Sequence, residues 1–383
     1  MKRRLQLLRE FSIPLICGVV LAVFWANIDP AGYHRFSDTP LAGALSFHFI
    51  ANDIFMVLFF GIAAVEITQS CLPGGDLNPF SRAVNPLLAT VGGVVGPALT
   101  YTLLNILFGT PELSHGWGIP TATDIALAWL AARLVFGDAH PAVSFLLLLA
   151  VADDAIGLAI IAFFYPDPLH PVELGWLFLI LAGMGAAYGM RRLQVRSYWP
   201  YIIWGGGLCW AGLYLAHLHP ALALVFVVPF MPHARRESKH LFEENTADIS
   251  TLAQFEHEWK VVVDIGLFIF GLANAGVEFS RVGTVTWLVL ASLLVGKTFG
   301  IFLFGVVAER LGFRLPNGVR KRDLLVMGVI AGTGFTVALF VAGQAFVDEG
   351  IMEAAKMGAM SSVVAAVIAL VLGRLLGVRR CVQ

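Results

Sequence analysis

Residues 141–164 read PAVSFLLLLAVADDAIGLAIIAFF, a run of 24 residues whose only charges are the adjacent acids Asp153 and Asp154. At 1.5 Å per residue a helix of this length covers a hydrocarbon core of about 30 Å. The run does not alternate apolar with polar, so it is not a barrel strand. A helix can cross lipid because its backbone hydrogen bonds are all internal. The two carboxylates then lie in hydrocarbon, at a cost of roughly 3 kcal/mol or more each. The stretch therefore reads as a membrane-spanning helix that carries its acids for a reason.

Similar runs recur along the whole chain of 383 residues, which is 58% hydrophobic and 13% charged, with a mean hydropathy of +0.80. An ordinary soluble domain is about 25% charged. The chain is thus expected to be an all-α polytopic membrane protein, one integral-membrane domain over 1–383. The net charge of −1 gives no case for a nucleic-acid partner. The scattered Cys17, Cys71, Cys209 and Cys381 form neither a disulfide frame nor a zinc site. No cofactor is indicated. The basic N-terminus and the apolar run behind it read as a retained first helix, because no small-residue cleavage site follows.

About twelve spans are expected, at 12–28, 49–70, 84–107, 119–135, 141–164, 172–190, 200–216, 219–231, 258–276, 284–306, 323–346 and 354–376. If they alternate from a cytoplasmic N-terminus, nearly all of the 25 lysines and arginines fall in the cytoplasm, from Lys2, Arg3, Arg4 and Arg9 through Arg235, Arg236 and Lys239 to Arg379. The exceptions are Arg35, Arg281 and Lys356 outside and Lys297 in the membrane. A wrong count would scramble this asymmetry. Both termini are expected in the cytoplasm, with 232–257 as a polar cytoplasmic loop.

The charges left inside spans are Asp53, Glu66, Asp124, Asp153, Asp154, Asp264 and Lys297. Asp124 lies thirteen residues before Gly137, and Asp153 and Asp154 lie twelve and thirteen beyond Pro141. All three therefore sit about 20 Å from one membrane face, and Lys297, mid-way along its span, has a similar depth. Neighbours on a helix project about 100° apart, so Asp153 and Asp154 face different ways. That suits one carboxylate for binding a cation and one for pairing with Lys297. Asp264 is six residues into its expected span, close enough to the end to reach water. Asn274 reads as an interhelical hydrogen-bonding residue.

Two spans are interrupted. Gly116, Gly118 and Pro120 precede Thr123 and Asp124; Gly328, Gly332 and Gly334 break 323–346. Backbone freed by such breaks must line a protein cavity. Interruptions at matching places in two halves mark a mid-membrane site between inverted repeats, here spans 3–5 and 10–12.

At these residues the sequence resembles the NhaA-type sodium/proton antiporter family over essentially its whole length. The matching stretches are Asn52-Asp53 to Glu66, PTATDIA at 120–126, ADDAIG at 152–157, ANAGV at 273–277, Gly296-Lys297 and GTGFTVA at 332–338. The resemblance implies two broken helices crossing at mid-membrane, with Asp124 and Lys297 compensating the half-helix ends. It implies Asp154 as the principal cation ligand, Asp153 as its partner alternating with Lys297, and Thr123 at the crossing. It implies Glu66 in the cytoplasmic funnel and Glu256 in pH response, with Asp53 a further acid of the second span. The sequence departs from the family after Glu66 (Ile67-Thr68-Gln69-Ser70), at Ala253 and Gln254, around His219, and at Asp264.

These readings converge on an inner-membrane antiporter that expels Na⁺ or Li⁺ in exchange for external protons, with no enzymatic activity. Hard cations want oxygen ligands, which Asp153, Asp154, Thr123 and free carbonyls can provide. A homodimer is compatible with this reading. The alternative is a cation-coupled symporter of a small organic solute, which needs a roomier and more polar site. An intramembrane aspartyl protease would need YD and GxGD motifs, and neither occurs.

Overall fold

In a computed structural model the chain is described over residues 13–42, 45–73, 75, 80–137, 140–166, 170–233, 250–378 and 380. Lys2, Arg3, Arg4, Arg9, Arg235, Arg236, Lys239, Arg379 and Cys381 lie outside these residues, as does most of the loop expected at 232–257.

Helices dominate. They are α1 (Ile13–Ile28), α2 (Pro30–Asp38), α3 (Phe47–Cys71), α4 (Phe80–Phe108), α5 (Pro111–Thr121), α6 (Ile125–Phe136), α7 (Pro141–Phe164), α8 (Leu174–Arg192), α9 (Tyr201–Leu215), α10 (Pro220–Phe230), α11 (Thr251–Asn274), α12 (Thr284–Arg310), α13 (Lys321–Ala331), α14 (Phe335–Ala345) and α15 (Glu349–Leu375). Two short strands, β1 (Pro40–Ala42) and β2 (Leu45–Ser46), pair antiparallel between α2 and α3. They were not expected, but at three and two residues they leave the all-helical reading in place.

Among the described residues six helices are long and apolar enough to cross a membrane, or eight if the bent pairs α5–α6 and α13–α14 each count as one span. The pairs bend by 56° and 49°. Large apolar side chains remain exposed along the helices, among them Ile106 at 75%, Phe163 at 80% and Leu181 at 68%. In water such a surface would drive association; in a bilayer it faces hydrocarbon.

Several boundaries differ from expectation. α5 starts at Pro111 and is a 3₁₀ helix, and α10 is 3₁₀ as well. α11 begins at Thr251, where Ser250 Oγ accepts from Ala253 N at 3.2 Å. Glu256 therefore lies in its second turn and Asp264 well inside it. α15 begins at Glu349, capped by Asp348, which accepts from Ile351 N at 2.9 Å. This places Lys356, expected at the outer end of its span, two turns inside the helix, where it is buried.

What positions the site is a close helix contact. α4 and α12 pack more extensively than any other pair of described elements. A Cβ at Gly96 would fall 2.3 Å from the Gly296 carbonyl oxygen, and one at Gly92 2.3 Å from that of Gly300. Glycine alone permits this approach, which holds the backbone around Lys297 against α4. The apolar side chains form two clusters, and the breaks lie where they meet: Ala122 belongs to one and Ala331 to the other.

Candidate functional site

The two breaks lie side by side. Asp124 N donates to the Thr333 carbonyl at 2.7 Å, joining the α5–α6 break to the α13–α14 break. The Asp124 carboxylate caps α6, accepting from Leu127 N at 3.0 Å. It also accepts from the first turn of α14, through Thr336 N at 3.3 Å and the Thr336 hydroxyl. One carboxylate thus faces two helix N-termini, where partial positive charge gathers.

Lys297 performs the opposite task. Its Nζ donates to the Thr121 carbonyl, at the C-terminal end of α5, at 2.6 Å and to Asp153 Oδ2 at 2.7 Å. Thr123 Oγ1 lies 2.7 Å from the same Asp153 oxygen and 3.0 Å from the Ala331 carbonyl that ends α13. Its single hydroxyl hydrogen serves one of these acceptors or is shared. Lys297 and Asp153 are fully buried. In such surroundings an ion pair persists only with good geometry and further hydrogen bonds, and both are present.

The other oxygens are not satisfied. Asp153 Oδ1 and Asp154 Oδ1 are buried without a hydrogen-bond partner. An orphaned buried acceptor costs about 1–3 kcal/mol, and more when charged. Asp154 lies in the wall of a cavity of about 470 Å³ that Thr123, Asp124, Glu66, Lys260 and Asp264 also line. Lys260 is exposed, whereas Asp154 is 7% exposed. The cavity thus leads from a charged mouth to the orphaned carboxylate. Among the described residues no three His, Cys, Asp or Glu side chains group closely enough to hold a metal ion. A cation here would complete its shell with hydroxyl, carbonyl or water oxygens.

The structure therefore brings together Thr123, Asp124, Asp153, Asp154 and Lys297, with Gly332 ending α13 and Gly334 starting α14. Glu66 joins them through the cavity. Asp53 does not line it; its carbonyl accepts from Trp210 Nε1 at 3.3 Å. Glu256 accepts from Gln69 Nε2 at 2.9 Å, which ties α11 to α3 outside the cavity. Asn274 and Asn52 exchange amide hydrogen bonds at 2.9 and 3.4 Å, as its expected interhelical role requires. Thr336 and the Thr121, Ala331 and Thr333 carbonyls were not singled out beforehand; the GTGFT stretch was the available signal.

Fold and site define a multi-pass, all-helical membrane protein with paired broken helices. The chain belongs to the Na⁺/H⁺ antiporter 1 family, which matches residues 4–373. It is 72% identical over 380 residues to Na⁺/H⁺ antiporter NhaA 2 of Pelobacter propionicus, covering 99% of this chain and 100% of the relative. It is 68% identical, with the same coverage, to NhaA of Geobacter sulfurreducens. Its fold resembles that of the sodium proton antiporter MjNhaP1 from Methanocaldococcus jannaschii, with a TM-score of 0.59 at 13% identity over 95% of this chain and 91% of that one.

Proposed function

We propose that this chain is an electrogenic antiporter of the inner (cytoplasmic) membrane that expels cytoplasmic Na⁺ or Li⁺ in exchange for external protons. It acts as a single integral-membrane domain of about twelve spans, with both termini in the cytoplasm. The sequences α4–α7 and α12–α15 each run long helix, broken helix, long helix, which supports inverted repeats about the crossing.

Above all, the reading rests on the buried, unpartnered Oδ1 of Asp154 at the inner end of the cavity. An ionised carboxylate there needs a cation, and a neutral one needs a proton; the same oxygens cannot hold both. Sodium arriving from the cytoplasm displaces protons, the protein changes the side to which the site opens, and external protons displace sodium. Asp153 takes part when it exchanges Lys297 for a proton, so more than one proton moves per cation and the membrane potential drives the cycle. Asp124 stays fixed by Thr336 and Leu127 and stabilises the crossing. Glu66 lies along the cytoplasmic approach, and Glu256 and Asp53 modulate from outside the cavity.

The cavity wall between mouth and site is largely apolar, with Phe59, Val263, Leu267 and Val337. Its polar groups are the acids, Lys260, Thr123 and Thr336, a set that favours a small cation over an organic solute. The test is reconstitution into liposomes with a trapped pH dye. Adding Na⁺ or Li⁺ without any organic solute is expected to move protons, and a valinomycin-clamped potential to change the rate. No proton movement with either cation would refute the proposal.

A further inference from the structure

We infer that Asp264 is a loading carboxylate: with Glu66 it holds an incoming hydrated cation in the mouth of the cavity, and its charge sets the affinity with which Na⁺ reaches Asp154. The inference rests on the antiport reading above. Asp264 lies on α11 in the wall of the cavity that ends at Asp154. It is four residues beyond the exposed Lys260, one helical turn or about 6 Å deeper. Glu66 faces the same space from α3, within electrostatic reach of Lys260 and Glu256. Acids at a rim would be an ordinary solvated surface if nothing lay beyond them. Here the buried, orphaned Oδ1 of Asp154 lies in the wall of the same cavity, so the rim acids flank the way to an oxygen that needs a ligand.

The charges at the mouth have an arithmetic. With the carboxylates ionised, the three charges that line the mouth, Glu66, Asp264 and Lys260, sum to a single negative charge, and Glu256 adds a constant background from outside the cavity. Removing Asp264 leaves Lys260 balancing Glu66, so the mouth is neutral to an approaching cation. Removing Lys260 doubles the negative charge. Low-dielectric walls focus such a field and raise the local cation concentration. Asp264 is half-buried on α11 one turn from the exposed Lys260, whereas Asp154 is buried on α7, so we assign it to loading and not to the exchange step. It is a positioning residue.

The experiment measures Na⁺-dependent proton movement in proteoliposomes at low ionic strength for the wild type, Asp264→Asn, Asp264→Glu, Lys260→Gln and the Asp264→Asn/Lys260→Gln double variant. Asp264→Asn is expected to raise KM for Na⁺ about three- to tenfold with kcat within about twofold, and Lys260→Gln to lower KM by a similar factor. Asp264→Glu should stay near wild type, and the double variant should return toward it. Raising choline chloride to about 0.5 M should shrink these differences by screening. A merely structural residue would not give shifts of opposite sign that cancel. An unchanged KM in Asp264→Asn, or a KM that rises in Lys260→Gln, would overturn the inference. Should Asp264→Asn not fold, the Lys260→Gln and Asp264→Glu arms still decide it. A wild type that moves no protons would instead defeat the antiport reading itself.

Discussion

Asp153 Oδ2 lies 2.7 Å from both Lys297 Nζ and Thr123 Oγ1, so one carboxylate oxygen ties α7 to α12 and to the break between α5 and α6. Asp154, the next residue, has a buried oxygen with no such tie. Two adjacent and chemically identical side chains are thus given opposite duties by the roughly 100° between them.

Removing Lys297 should therefore damage the fold as well as transport. Lys297→Ala leaves Asp153 buried without its cation and leaves the Thr121 carbonyl without its donor. Breaking one side of a buried pair costs about 3–5 kcal/mol. The melting temperature in detergent is expected to fall clearly below that of the wild type. An unchanged melting temperature would mean that the pair contributes nothing to stability.

Asparagine at the two aspartates should separate their roles. Asp154→Asn alters a group whose buried oxygen has no hydrogen-bond partner to lose, so stability should hold within about 1 kcal/mol or rise, while Na⁺-driven proton movement falls by about a hundredfold or more. Asp153→Asn weakens the partner of Lys297 and should lower the melting temperature. The assignment fails if the thermal effects are reversed, or if Asp154→Asn still exchanges at full rate in everted vesicles.

Thr336 offers a smaller test of the crossing. Thr336→Val keeps the shape and the backbone N–H but deletes the hydroxyl that donates to Asp124. The expected loss is about 1–2 kcal/mol, with Thr336→Ser close to wild type. Equal stability of Thr336→Val and wild type would show that the hydroxyl is not needed there.

The packing of α4 on α12 makes a further prediction. Gly96→Ala puts a methyl where the Gly296 carbonyl lies, 2.3 Å away. The helices must part, at about 1–3 kcal/mol, and Lys297 moves with its helix. Both melting temperature and exchange rate should drop. A variant as stable and active as wild type would mean that the contact has slack.

Much of this was legible in the sequence because hydropathy and buried charge are properties of single residues. The cost of placing Asp124, Asp153, Asp154 and Lys297 in lipid singled them out one by one. Glycine and proline marked both breaks for the same local reason. What could not be read were contacts between distant segments. Thr336 meets Asp124 across more than 200 residues, and nothing near either one announces it. Helix ends were misjudged where hydropathy and helicity part company. Thr251–Lys260 is too polar for a lipid window, yet it extends α11 at its N-terminal end, and this changed the placing of Asp264. The 3₁₀ geometry of α10 was hidden because an apolar run looks alike in either helix.

The competition between Na⁺ and protons yields the last prediction. If both occupy the oxygens of Asp154, acidification fills the site with protons, and more Na⁺ is needed to displace them. The KM for Na⁺ should then rise as pH falls, while the rate at saturating Na⁺ changes little over the same range. The slope of log KM against pH counts the displaced protons: about −1 for one and about −2 for two, by linkage. A slope near −2 at low pH would mean that Asp153 releases Lys297 and takes up a proton in the same step. Initial rates across pH and Na⁺ concentration in proteoliposomes measure this slope. A KM independent of pH, with acid acting only on the maximal rate, would mean that cation and proton use separate sites, and the orphaned oxygen of Asp154 would then need another occupant.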